Sequence, residues 1–347
     1  MERNRAGISG GSRKVVGMDR RKFLSITGAT LSLASVPELL KAADSSGKII
    51  KGGWVDLPVA RKKFIAKTSM PLASQHGREI VGSSRDKAGL LWKAWEEMAG
   101  HEFVPHFQEI GDCVSQGGGL GVEVLSATEI VDGQNETWCG KISTEVLYGG
   151  SRVEVGGGQL RGDGSTGAWL AEFLEDFGTV KRGKYGNIDL TKYDPELAKE
   201  WGKRRSQGIP REMETLSKEH PVKRAVLIDG GFNQACDFMA NGCPIVVCSS
   251  VGFRTQADRD GFLYPGPQWM HCMLVFGFDR KSRREGGCIA NSWGGNWVSG
   301  PAHRLGTPAG CFWAEARTLD RMFREGDSYA LMDYQGFEKK KRSYILY

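Results

Sequence analysis

No Cys-x-x-Cys pair occurs in these 347 residues, and Cys236, Cys243 and Cys248 lack the spacing of a zinc site. Internal repeats and low-complexity blocks are also missing, which excludes a solenoid or a compositionally biased tract. No long apolar run is present either. The stretch from Ser25 to Leu33 is short and interrupted by Thr27, Gly28 and Thr30, so a stable membrane span is excluded. Basic charge is scarce where a nucleic-acid binder would need it. The formal net charge is +6, but residues 1–22 carry seven Lys/Arg against Glu2 and Asp19, and Lys339 to Arg342 add four more. The chain between these tails is net acidic, and a nucleic-acid partner is not expected.

What is present supports a sizeable core. The chain is 40% hydrophobic and 10% aromatic, with 48 glycines that point to many turns. The basic run Arg20-Arg21-Lys22 followed by Phe23-Leu24 and a short apolar stretch has the layout of an export signal, and the paired arginines look like the twin-arginine type. Residues 1–43 are assigned to this signal and its extension, with Met18 as an alternative start and Ala34, Ala42 or Ala43 as cleavage points. The mature protein is therefore expected outside the cytoplasm, as a monomer. Eight cysteines would permit disulfides there. We expect most to be small buried hydrophobes, and no bridge is drawn.

Periodicity divides the remainder. Residues 44–100 form an N-terminal segment in which Asp86 to Gly100 reads as one amphipathic helix, with Leu90, Leu91, Trp92, Trp95 and Met98 on one face. Helices are expected over Val114 to Val131, Ala168 to Phe177, Pro195 to Arg204 and Phe232 to Asn241. Residues 181–220 are strongly charged and read as a surface excursion. Strands are expected at Pro244 to Cys248, Met273 to Phe278 and Gly287 to Ala290. A helical first half and a strand-rich second half give an α+β class.

Three separated segments carry chemistry: Gln108-Glu109-Ile110-Gly111-Asp112-Cys113, then Met270-His271-Cys272, then Asn291-Ser292-Trp293-Gly294-Gly295. A Cys at a helix start, with a His and an Asn beside strand-like runs, suits nucleophilic catalysis. These motifs resemble the papain-like cysteine peptidases. The resemblance runs from about Gln108 to Tyr334, and its strongest part is Cys288 to Gly295, which contains the run Asn291-Ser292-Trp293-Gly294. It implies a two-lobed fold within residues 101–347, with a helical lobe at about 101–180, a β-barrel lobe at about 225–336 and a cleft between them. It also implies that Cys113 is the nucleophile, His271 the base, Asn291 the residue that orients His271, and Trp293 its cover. Gln108 and the Cys113 backbone N–H would form the oxyanion hole. Gly164 and Ser165, in a Gly-containing turn before a helix, would line the cleft and bind a polypeptide substrate. No cofactor or metal is implied. The thiol is expected to have a low pKa, from the helix N-terminus and a neighbouring imidazolium.

Three departures bear on this. Ile110 and Val114 stand where many relatives have Cys and Trp. Gln108 is five positions before Cys113 rather than six, and the spacing to His271 exceeds the roughly 130–150 residues usual for the family. The 181–220 and 252–269 stretches can absorb that excess. In a second register Cys113 takes the upstream position and Gln116 replaces the nucleophile, leaving an inactive binding or structural protein of the same fold. His76, His101, His106, His220 and His303 have no comparable context.

Overall fold

The computed structural model describes residues 52–133 and 137–334, plus the backbone pairing of Ala42–Ala43 with Ile49–Ile50. The candidate export signal and the Lys339 to Arg342 run lie outside the described residues.

Helix α1 spans Pro58–Lys67, with Pro in the first turn, where a missing N–H leaves no bond unmade. The single helix expected over Asp86 to Gly100 is corrected. Ala88–Leu90 is a strand, β1, and only Trp92–Ala99 is helical, as α2. Gly89 is the physical reason: a Cβ there would lie 2.4 Å from the Phe278 ring, so the backbone is drawn against a neighbouring strand. Gly100 then ends α2 in the left-handed conformation at φ 71°.

Helix α3, Cys113–Val131, is buried almost throughout. Its glycine run has a packing explanation. A Cβ on Gly117 would meet Cys272 Sγ at 3.3 Å and the Met273 carbonyl at 3.4 Å, and one on Gly118 would meet Leu170 at 2.5 Å. Gly117 lets a strand, and Gly118 a second helix, close on the start of α3, despite the cost in helix propensity. Helix α4, Thr144–Gly150, continues into a π turn at Ser151–Val155. Helix α5, Gly167–Asp176, is capped by Thr166, whose Oγ1 accepts from the Trp169 N–H at 3.0 Å, and Gly178 lies beyond its end at φ 84°. The charged 181–220 stretch carries α6 (Pro195–Gly202) and α7 (Arg211–Ser217). It is more than a surface excursion, because Leu190, Ala198, Trp201 and Met213 are buried.

Further along come the helices α8 (Gly231–Met239) and α9 (Ala316–Phe323) and the strands β2 (Val222–Leu227), β3 (Ile245–Ser249), β4 (His271–Asp279), β5 (Gly286–Ala290), β6 (Cys311–Glu315) and β7 (Tyr329–Tyr334). They join β1 in one seven-stranded antiparallel sheet ordered β6-β5-β4-β3-β7-β2, with β1 paired to β4. The fold is α+β. The expected β-barrel is corrected: among the described strands no pair joins β6 to β2, so the sheet stays open. Strand β4 is buried at all nine positions, which explains its continuous apolar sequence. Its register with β3, Ser249 opposite His271 and Leu274 opposite Val246, puts His271 at the strand's first position, against the start of α3.

Candidate active site

Asp112 occupies the N-cap of α3 and Cys113 is the first helical residue. Cys113 is fully buried, and its Sγ accepts a hydrogen bond from the Cys272 backbone N–H at 3.3 Å. The nucleophile candidate therefore touches the residue after His271. His271 Nε2 donates to Asn291 Oδ1 at 2.7 Å, and the same oxygen accepts from the Ser292 backbone N–H at 2.7 Å. An amide oxygen can only accept, so neutral His271 carries its proton on Nε2 and a lone pair on Nδ1. Nδ1 is buried without a hydrogen-bond partner.

An aromatic wall encloses the imidazole. Trp293 lies over His271 with centroids 4.7 Å apart, and Trp269 packs edge-on to both Trp293 (4.6 Å) and His271 (6.2 Å). Trp297 extends the wall, and its Nε1 donates to the Gly310 carbonyl at 2.9 Å. Gln108 is tied to the Asn-Ser-Trp run: its backbone N–H donates to Ser292 O at 2.9 Å, and its Oε1 accepts from Ser292 Oγ at 2.6 Å. The Gln108 amide nitrogen donates to the Ile110 carbonyl at 2.9 Å, so it braces the loop leading to Cys113. Gln116 points away from the thiol. It donates to Asp112 Oδ2 at 2.7 Å, and its Oε1 accepts from His106 Nδ1 at 3.1 Å.

A short strand of the chain itself crosses this site. The Gly53 and Trp54 backbone N–H groups donate to Met270 O at 3.0 and 3.1 Å. Ser165 N–H donates to Gly53 O at 2.9 Å, and Val55 N–H donates to Ser165 O at 2.8 Å, a parallel pairing centred on Trp54. The Gly53 backbone also acts on the Cys113 thiol, lowering its pKa against the larger effect of burial. The strap fits because it is glycine: a Cβ on Gly52 would lie 2.3 Å from Met270 O, and one on Gly53 would lie 2.0 Å from Gly111 O. Gly164, at φ 109°, faces Gly53 O in the same way. Trp54 anchors the strap, since it is buried and its Nε1 donates to Asp327 Oδ2 at 2.8 Å. Asp327 also accepts the Gly167 and Ala168 N–H groups at the start of α5 and the Tyr329 hydroxyl. Buried Arg152 holds the cleft turn by donating to the Gly162 and Gly164 carbonyls.

Burial dominates the electrostatics. It pushes the Cys113 thiol well above its ordinary value, with the Cys272 thiol acting in the same direction, and it lowers His271 to about 4 against the hydrogen bond that His271 donates to Asn291. The low thiol pKa expected from the helix start is therefore corrected. With the strap in place desolvation outweighs the helix N-terminus, and both groups are neutral at neutral pH.

The structure thus brings Cys113, His271, Asn291 and Trp293 together, sets Gln108 behind Ser292, and places Gly164 and Ser165 on the strap. Sequence reasoning did not identify Gly52 to Val55, Trp269, Arg152, Asp327 or buried His106, whose Nε2 pairs with Glu123 at 2.9 Å. The one local signal was Gly52-Gly53 before an aromatic residue. Seven of the eight cysteines are buried, as small hydrophobic side chains are, and Cys139 is partly buried.

No family model matches the chain, and no curated protein matches it. Among solved structures it is similar to xylellain, a cysteine protease from Xylella fastidiosa, at 15% identity and TM-score 0.49, covering 74% of this chain and 88% of that one. It is similar to a procathepsin B from Trypanosoma congolense at 11% identity and TM-score 0.48, covering 87% and 94%. A digestive procathepsin L from Tenebrio molitor matches at 14% identity and TM-score 0.43, covering 84% and 83%. The solved structures this chain resembles are papain-like cysteine proteases and their proforms.

Proposed function

We propose that this protein is an exported papain-like thiol peptidase, held closed by its own Gly52–Val55 strap. The observation that carries the reading is the buried His271–Asn291 hydrogen bond of 2.7 Å beside a thiol that hydrogen-bonds the next backbone N–H. When the strap is displaced, a substrate strand takes its place, bonding to the Ser165 backbone and the Met270 carbonyl. Cys113 gives its proton to His271 Nδ1, and its sulfur adds to the scissile carbonyl. Asn291 holds the imidazole through Nε2, and Trp293 keeps water from that bond. The Cys113 backbone N–H and the Gln108 amide stabilise the oxyanion. His271 then protonates the leaving amine, and water, with His271 as base, releases the acid and restores the thiol. The helix-rich and strand-rich parts supply the two walls of the cleft, in the two-lobed arrangement. The protein acts as a monomer after removal of a signal containing Arg20 and Arg21.

One observation favours a second reading. Cys113 and His271 are both fully buried and neutral in the closed form, as they would be in a binding module that never opens. Cys113→Ala separates the two. If the protein is a peptidase, hydrolysis of an unfolded protein substrate, begun by removing or displacing the strap, stops completely in the variant. If wild type and variant cut equally, or neither cuts, the binding-module reading stands.

A further inference from the structure

The residue before the nucleophile candidate is an acid with an unusual set of partners. Asp112 is 1% exposed, and although it stands at the N-cap, its side chain does not cap the helix. Its Oδ2 accepts from Gln116 Nε2 at 2.7 Å and from the Tyr193 hydroxyl at 2.9 Å, while its Oδ1 is buried without a partner. Tyr193 belongs to the charged 181–220 stretch, so that stretch reaches the residue before Cys113. Arg182 and Glu145 secure it there. Arg182 donates to Glu145 at 3.1 Å, Glu145 accepts the Asp194 N–H at 2.8 Å, and the Arg182 guanidinium lies 6.0 Å from the Tyr193 ring centre.

We propose that Asp112 is a positioning residue that sets the reactivity of Cys113, and that Tyr193 holds it in that role. The inference rests on the reading of Cys113 as the reactive thiol. The start of α3 favours one negative charge, and two adjacent groups compete for it. An Asp112 carboxylate opposes a Cys113 thiolate, whereas a protonated Asp112 does not. Burial raises Asp112 to about 7, against the hydrogen bonds from Gln116 and Tyr193, so the competition falls in the neutral range. The other ionisable groups facing this carboxyl are accounted for. Glu145 raises it and is itself paired with Arg182; Asp163 accepts the Gly111 N–H at 3.2 Å; and Tyr148 beside Asp163 stays protonated, because burial holds its hydroxyl well above its usual range. His106 reaches Asp112 only through Gln116 and is paired with Glu123.

The test is the pH profile of Cys113 alkylation by iodoacetamide, located by peptide mapping, in wild type, Asp112→Asn and Tyr193→Phe. All three share the strap, so its opening cancels in the ratios. Asp112→Asn is expected to match wild type below pH 6 and to react about tenfold faster above pH 8, the effect of one unit in the thiol pKa. Tyr193→Phe removes a donor to the carboxylate, leaves Asp112 protonated to higher pH, and should diverge in the same direction at intermediate pH. A merely structural Asp112 would change rates equally at every pH, and that result overturns the proposal. The thermal midpoint supplies a second readout. A buried acid raised from 3.8 to about 7 costs stability as pH rises through that range, and the cost is complete above 7. The midpoint of Asp112→Asn relative to wild type should therefore climb between pH 4 and 7, and a constant difference also overturns the proposal. Neither readout requires peptide hydrolysis, so a protein that cuts nothing would sink the peptidase reading and leave this inference standing.

Discussion

Gly53 packs backbone to backbone against Gly111, two residues before Cys113, with no room for a side chain: a Cβ on Gly53 would lie 2.0 Å from the Gly111 carbonyl oxygen. Backbone on both sides leaves nothing that can rotate away. Gly53→Ala should therefore loosen the strap by about 1–3 kcal/mol, or roughly 5- to 150-fold in the fraction of open sites. Cys113 alkylation by iodoacetamide should speed up by that factor. An unchanged rate would mean that the strap does not govern access.

Trp54 is the strap's deepest contact. Trp54→Phe keeps an aromatic ring but loses the bond to Asp327, leaving a buried carboxylate with one donor fewer. A loss of about 1.5–3 kcal/mol is expected, measured by urea unfolding, together with faster Cys113 labelling. Lower stability with unchanged labelling would show that the anchor serves the core and not the strap.

Asn291→Ala removes the acceptor for His271 Nε2 and the Ser292 N–H. In a strap-opened protein turnover should fall by about 10²-fold or more, the scale of losing one oriented catalytic contact, with KM little changed. Gln108→Ala should cost on the order of 10²–10³ in turnover if its amide meets the oxyanion. Equal turnover in Asn291→Ala would reduce that residue to a turn position.

His271 gives a pH signature of the closed state. Its folded pKa of about 4 lies below the unfolded 6.5, so the neutral ring contributes stability above 6.5 that is lost as pH falls through 6.5 to 4. The wild type should lose roughly 3 kcal/mol more than His271→Gln over that window, by urea titration at several pH values. His303, also lowered to about 4, acts equally in both proteins and cancels. Parallel losses would mean that the imidazole is not held buried and neutral.

Arg20 and Arg21 test the export reading. A Lys-Lys pair there conserves charge but not the guanidinium pair, and precursor should accumulate inside the cell, visible by immunoblot of cell fractions. Unimpeded export would remove the twin-arginine assignment.

Which features were legible follows from how local their causes are. Met273 to Phe278 reads as a strand because both of its faces are covered, and Cys113, His271 and Asn291 could be grouped because their flanking motifs are specific. The expected helix over Asp86 to Gly100 missed β1, because three residues carry too little periodicity and their conformation is decided by Phe278, far away in the sequence. The strap was invisible for the same reason: Gly52-Gly53 looks like loop, and only Ser165, Met270 and Asp327 give it a path. The thiol's pKa went the wrong way because the favourable helix N-terminus is written in the local sequence, whereas the desolvation that outweighs it comes from tertiary packing. The barrel came with the family resemblance, and no strand in this sequence carried it independently.

Seven of the eight thiols are buried, so an oxidising compartment reaches them only where their cover lifts. Partly buried Cys139 is the most accessible thiol in the closed form. Because Cys113 is buried beside the backbone of Gly53 and Gly111, any movement that uncovers its sulfur also admits peroxide to it. Each opening therefore permits sulfenic acid formation, and the proportion of time spent closed sets how long the thiol survives.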